Sequence, residues 1–294
     1  MNLNNLANST PRGILFAHHP RHASSILVAA SFLLAAVAFA ASTYKGPELS
    51  SLPDSVQLAI KSQVASGKLA CIEEITRNEE TSYRVEFKQA DKDRSFTVDD
   101  DGKVLRAQVL LDETPAPIQA AINKHLGAAT ILRIDKVTDD EGVSYQVEMN
   151  KDGRERDFTI NARGGMHSTE LFLDETPQPL RKAIHEQLSG GRLERLHKLF
   201  KKGDNTFRID YVRRQKPLHF ILTPAGKLES ALVLLEDTPP AVQQTIRTRV
   251  GDGYIDEIEL SMDEDVASYD VTFTQADAAK TLTVSASGQV EHSE

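Results

Sequence analysis

The sequence predicts an α+β fold built as four tandem repeats, each one helix followed by a four-stranded antiparallel meander. Marker residues recur at a fixed interval of 62: Pro53, Pro115, Pro177 and Pro239; Ile60, Ile122, Ile184 and Ile246; Gly102, Gly164, Gly226 and Gly288. Two ring and apolar columns hold the same register without an insertion, Tyr83, Tyr145, Phe207 and Tyr269, then Phe96, Phe158, Phe220 and Leu282. Self-similarity at a fixed period marks a repeat architecture. Inside each interval the apolar spacing changes from helical to alternating, which orders the elements as helix first and strands after.

Residues 1–40 precede the repeats. They carry Arg12 and Arg21 and no acid, then an apolar run from Ile26 to Ala40 ending in Ala38-Phe39-Ala40. A basic start, an apolar stretch and a small-residue site predict a secretory signal peptide cleaved near Ala40/Ala41. The run is short for a membrane span, which needs about 20 apolar residues. An uncleaved inner-membrane anchor is the alternative. Either way the protein is expected outside the cytoplasm, periplasmic or secreted. Residues 41–51 read as a linker, followed by repeats at 52–113, 114–175, 176–237 and 238–294.

Each repeat reads alike. Asp112 to Pro115, Asp174 to Pro177 and Glu236 to Pro239 open helices, with Thr expected as N-cap and Pro at the first helical position. Val56, Ile60 and Val64 recur at helical spacing, as do Ile118, Ile122 and Leu126. Gly67, Gly127, Gly190-Gly191 and Gly251 are placed to end the helices. Leu69, Ile72 and Ile75 are three apart but lie between a helix stop and a strand, so a strand with a bulge is predicted. Tyr83, Val85 and Phe87 alternate with Arg84, Glu86 and Lys88, a half-buried strand continued by Phe96 and Val98. Gly102 then turns a short hairpin. Because Phe207 replaces tyrosine in one column, the ring and not the hydroxyl is what that position needs.

In the second repeat Thr114-Pro115, Ile118, Ala121-Ile122, Ile131, Ile134, Tyr145-Gln146-Val147-Glu148, Phe158-Thr159-Ile160 and Gly164 form a pattern that resembles the PepSY-like family, including its beta-lactamase-inhibitor-like group. The resemblance covers nearly all of residues 52–294, once per repeat. It implies small α+β modules outside the cytoplasm that bind or inhibit secreted proteins such as peptidases. Beta-lactamase inhibitory protein is similar in plan, and no inhibitory contact residue of it is matched here.

Composition excludes more than it assigns. The chain has 34 basic and 43 acidic residues, a net charge of −9, and an acidic surface repels phosphate backbones. Nucleic acid is therefore not an expected partner. The single cysteine, Cys71, permits no internal disulfide, and no helix N-terminus or histidine is predicted beside it to make a thiolate. His125, His167, His185, His197, His219 and His292 follow no metal-ligand spacing, and His185-Glu186 lacks the second histidine of a zinc motif. They read as solvated surface residues. Asp99-Asp100-Asp101-Gly102 approaches a calcium loop without its alternating ligands. With no phosphate loop and no nucleophile elbow, neither an enzyme nor a cofactor is expected.

Charge breaks the symmetry. The four repeats carry −4, −4, +5 and −8. In the third, Lys198, Phe200, Lys201 and Lys202 precede one hairpin, and Arg213, Arg214 and Lys216 stand at the next. Two readings stay open: the basic repeat docks on the acidic fourth, or these seven residues form a patch for an anionic partner. Such a partner is an extracytoplasmic protein or an anionic envelope component. A membrane enters only through an uncleaved N-terminal segment. The expected function is a non-catalytic binding module that inhibits or sequesters a secreted or envelope protein, with a structural cell-envelope spacer as the alternative.

Overall fold

The structure is a computed structural model that describes residues 45–77, 80–201 and 205–293. The signal peptide or anchor expected over 1–40 lies outside the described residues, as does Lys202. Four α-helices lie among the described residues: α1 (Asp54–Val64), α2 (Ala116–Leu126), α3 (Gln178–Leu188) and α4 (Pro240–Val250). The strands, in chain order, are β1 (Lys68–Arg77), β2 (Glu80–Gln89), β3 (Lys92–Asp99), β4 (Val104–Gln108), β5 (Thr130–Asp139), β6 (Gly142–Lys151), β7 (Arg154–Asn161) and β8 (Met166–Glu170). They continue as β9 (Arg192–Phe200), β10 (Asn205–Arg213), β11 (Lys216–Leu222), β12 (Leu228–Leu232), β13 (Tyr254–Asp263), β14 (Val266–Gln275), β15 (Ala278–Ser285) and β16 (Val290–Ser293). No helix among them is long and apolar enough to cross a membrane.

The strands correct the predicted architecture. They form one sheet of sixteen in sequential order, so the chain is not four helix-and-meander repeats side by side. The reason lies at the short strands. A meander that ended at β4 would leave a row of unpaired N–H and C=O groups. Instead Arg106, Ala107 and Gln108 pair antiparallel with Val137, Lys136 and Asp135 of β5. Ladders of the same kind join β8 to β9 and β12 to β13. At ~4.8 Å per strand spacing, the sheet extends about 70 Å.

All four helices cover the same face. Directly opposed residues on neighbouring strands share a face. Phe96, in the core under α1, lies opposite Ala107, then Lys136, then Tyr145 in the core under α2. Phe158, Thr169, Lys198 and Phe207 connect the α2 and α3 cores in the same way. Phe220, Ala231, Leu260 and Tyr269 connect α3 to α4. The four ring positions Tyr83, Tyr145, Phe207 and Tyr269 are all buried on this side. Among the described residues, the opposite face carries no helix.

Helix entry differs from the sequence reading. Thr114 does not cap α2; its hydroxyl donates to the Leu111 carbonyl at 2.8 Å and closes the 3-10 turn Leu111–Glu113. Pro115 is the N-cap, and Ala116 begins the helix. Thr176 and Thr238 repeat this bond to Leu173 and Leu235. A hydroxyl committed as donor to a preceding carbonyl is turned away from the helix amides. The positive-φ residue that ends each helix is Gly127 or Gly251 in two cases, but Ala65 and Ser189 in the others. Gly226 turns from β11 to β12 at φ 82°, where an added Cβ would stand 2.8 Å from the Ala183 Cβ on α3.

Candidate functional site

The helix-free face is where charged side chains gather. In β7, Phe158 and Ile160 enter the core, so alternation turns Asp157 and Thr159 outward. Buried Leu196 likewise turns Arg195 and His197 of β9 outward, and Glu170 of β8 lies opposite His197. Arg133 pairs with Glu148, Glu148 with Asp157, and His197 with Arg208, so a charged row crosses β5 to β10. Beyond Arg208 the row becomes neutral: Ile221, Ser230, Ser261, Ser268 and Ser285.

Asp157, Glu170 and His197 form the tightest group in this row. His197 Nε2 lies 3.1 Å from Asp157 Oδ1, and Arg195 Nη1 donates to Asp157 Oδ2 at 3.2 Å. The backbone N–H of Asp157 donates to Glu170 Oε2 at 3.1 Å. One ligand atom from each of the three residues lies within 4.8 Å of the other two, the set among the described residues that could hold a metal ion. The Asp157 side chain is 6% exposed and that of His197 14%, so His197 is not the solvated residue its spacing suggested.

Electrostatics separate the two enclosed histidines. Burial alone would lower His197, but the Asp157 hydrogen bond and the charges of Asp157, Glu170 and Asp210 outweigh it and hold the imidazole above its usual value. His219 stands opposite Asp210 on β11; burial, with Arg208 nearby, pushes it down to about 4. Burial and repulsion from Asp157 raise Glu170 above the usual carboxylate range. His125, His167, His185 and His292 are exposed. Burial, then Glu86 and Glu73, push the Cys71 thiol up, which keeps it protonated.

A second polar group lies at the β4–β5 seam. Asp135 is 2% exposed and accepts from Arg106 at 2.8 Å and from Arg133 at 2.9 Å. Arg106 also reaches Gln146 Oε1, and Arg133 reaches Ser95 Oγ at 3.0 Å. These groups satisfy one another, so this cluster fastens the seam.

The predicted basic patch is divided. Lys198 and Phe200 lie at the end of β9, with the Lys198 ammonium 5.0 Å from the Phe200 ring centroid, and Lys201 follows. Arg213, Arg214 and Lys216 surround the β10–β11 turn, at the other end of nine-residue β10. At ~3.3 Å per residue the two groups are roughly 25 Å apart. Arg213 is paired with Asp237, and Arg214 Nη1 meets Glu236 Oε1 at 2.8 Å, on the 3-10 turn Leu235–Asp237 before α4. Lys227 reaches Asp265 at 3.0 Å between two neighbouring hairpin tips.

Sequence reasoning missed Asp157 and Glu170 as partners of His197. Alternation alone signals that all three point the same way. Their meeting depends on the register of β8 against β9, which joins segments the 62-residue period had assigned to different repeats.

No family model matches the chain, and no curated protein does. Some solved structures are similar to part of it. A DUF2874 family protein from Bacteroides ovatus is 19% identical over 40% of this chain and 85% of its own, at a TM-score of 0.32. A BLIP-like protein from Bacteroides fragilis is 21% identical over 39% and 82%, at 0.30. A protein from Bacteroides thetaiotaomicron, proposed to be calcium-regulated and periplasmic, is 12% identical over 43% and 96%, at 0.33. Superpositions at these scores carry no inference about what this chain binds.

Proposed function

We propose that this chain is a non-catalytic extracytoplasmic binding protein that docks a secreted or envelope protein on the helix-free face of its sheet. The supporting observation is the variation of charge along that face. Arg84 and Glu86, Gln146 and Glu148, Arg208 and Asp210, and Asp270 and Thr272 occupy corresponding outward positions on β2, β6, β10 and β14. Their side chains differ from one strand to the next, while the buried residues between them stay apolar. A surface about 70 Å long readily supplies the ~800 Å² that one partner buries in a stable complex. In this reading the PepSY-like pattern of residues 52–294 marks inhibitory or sequestering modules, and the N-terminal segment directs export.

Charge reversal tests the docking face. The wild type, an Arg84→Glu/Arg208→Glu variant and a helix-side control, Lys182→Glu, serve as bait for the envelope fraction of the source cell. The reading predicts a partner held by wild type and control and lost by the face variant. Equal retention by all three baits rules out docking there. The spacer reading is favoured by one observation, the unbroken ladder through every seam. It predicts no reproducible partner at physiological salt.

A further inference from the structure

We propose that Asp157, Glu170 and His197 bind a divalent transition-metal ion of the zinc class, with one oxygen of each carboxylate and His197 Nε2 as ligands. The three residues come from three adjacent strands, and their ligand atoms already lie within 4.8 Å of one another. Ligands about 2.1 Å from a tetrahedral zinc stand ~3.4 Å apart. The Asp157–His197 separation of 3.1 Å fits this, and a turn of the Glu170 side chain closes the rest.

Each carboxylate is anchored through one oxygen and presents the other. Arg195 holds Asp157 Oδ2, which leaves Oδ1 facing the imidazole. The Asp157 backbone N–H holds Glu170 Oε2, which leaves Oε1 as the oxygen available to an ion. Anchoring of this kind orients metal ligands before the ion arrives. Glu170 and His197 are each partly exposed, so water can complete the coordination shell.

The donor set selects the metal. One imidazole nitrogen and two carboxylate oxygens suit zinc and its neighbours. Calcium takes six to eight oxygens, and this cluster does not offer them. Charge agrees: two carboxylates against Arg195 leave one negative charge when His197 is neutral. The ion takes the place between Asp157 Oδ1 and His197 Nε2. The groups around that place are Asp157 on β7, Glu170 on β8, Arg195 and His197 on β9, and Arg208 and Asp210 on β10; Glu148 lies one strand beyond Asp157. Protons compete with the ion for the ligand atoms, so binding weakens in acid. This inference is independent of partner docking, because metal affinity is measured on the protein alone.

Isothermal titration of ZnCl₂ into tag-free protein at pH 7.5 is the test. One zinc per chain is expected in the micromolar range or tighter, weakened at least about tenfold by His197→Gln and by Glu170→Gln. His219→Gln, on the same face and outside the cluster, should bind as the wild type does. Far-UV circular dichroism establishes that each variant is folded; if His197→Gln is not, Glu170→Gln decides alone. No saturable zinc binding by the wild type overturns the proposal. So does unchanged affinity in the deciding variant, or calcium binding as tight as zinc.

Discussion

Roughly 12 Å apart on one sheet face, two strands and two residues from each other, two histidines are driven in opposite directions. His219 is depressed to about 4 by burial and Arg208, so the folded protein disfavours its proton. Its stabilising contribution is present above the unfolded value near 6.5 and falls as pH drops from there towards 4. His197 is raised, against burial, by Asp157 and its acidic neighbours, so its contribution is complete below about 6.5 and is lost as pH rises through the folded value. Proton NMR should find His219 still neutral at pH 5 while His197 is charged. In denaturant melts, His219→Gln should reduce the loss of stability between pH 6.5 and 4.5, and His197→Gln should reduce the loss as pH rises above 6.5. Two histidines titrating together near 6.5 would remove the basis for both statements. At this scale a further pair is testable. Arg213 and Asp237 have side chains only 18% and 20% exposed, so Arg213→Ala leaves a half-buried carboxylate without its donor. A loss of about 1–3 kcal/mol in urea unfolding is expected.

At the scale of elements, the turns that join strand to helix are fastened by chains of small bonds. In the Leu111–Glu113 turn, Glu113 accepts from the Leu110 N–H at 2.8 Å and from Arg94, while Gln119 donates to the Thr114 carbonyl at 2.8 Å. Arg181 and Gln243 make the corresponding bond to Thr176 and Thr238. The Asp-Glu-Thr-Pro string marked these places in the sequence, but its threonine was legible only as a generic cap. A hydroxyl can accept from an amide or donate to a carbonyl, and the 3-10 turn that decides between them is not a periodic feature. The glycine column was more readily legible, because a positive φ leaves few other choices. Gly226→Ala tests it with two penalties at once, a strained φ of 82° and a Cβ 2.8 Å from that of Ala183. A cost of about 1–3 kcal/mol is expected by thermal or urea melts. Gly190, at φ 81° with open space where a Cβ would stand, separates the two penalties: Gly190→Ala should cost less.

Across the whole molecule, the same seams that correct the sequence-based fold also create the candidate site. The apolar alternation of β6, β7, β10 and β11 was legible, because their core residues repeat every second position. The pairing of β8 with β9 was not, since Ser168, Thr169 and Glu170 form a short polar-rich strand with no apolar pattern to fix its partner. Glu170 meets His197 only through that pairing, so the site stayed hidden for the same reason as the sheet.

The seams also set how stability is shared. Four buried apolar clusters, each with its own helix, are connected by ladders of three residue pairs, with Leu228 and Val233 touching both the α3 and α4 clusters, whereas β5 and β6 are zipped along their full length. Short ladders transmit less free energy than the cores on either side, so local opening should stop at them. Ile122 is fully buried in the core under α2, and Ile122→Ala should cost about 2–5 kcal/mol there. Native-state hydrogen exchange should show faster exchange in α2 and β5 to β7, with β13 to β15 unchanged. Uniform loss of protection across all sixteen strands would instead make the sheet one cooperative unit, its seams as strong as its hairpins. The local outcome has a consequence for the helix-free face: β8 and β9 could part without unfolding either core. Such opening would separate Glu170 from His197, so zinc should slow exchange at that seam before it slows exchange elsewhere.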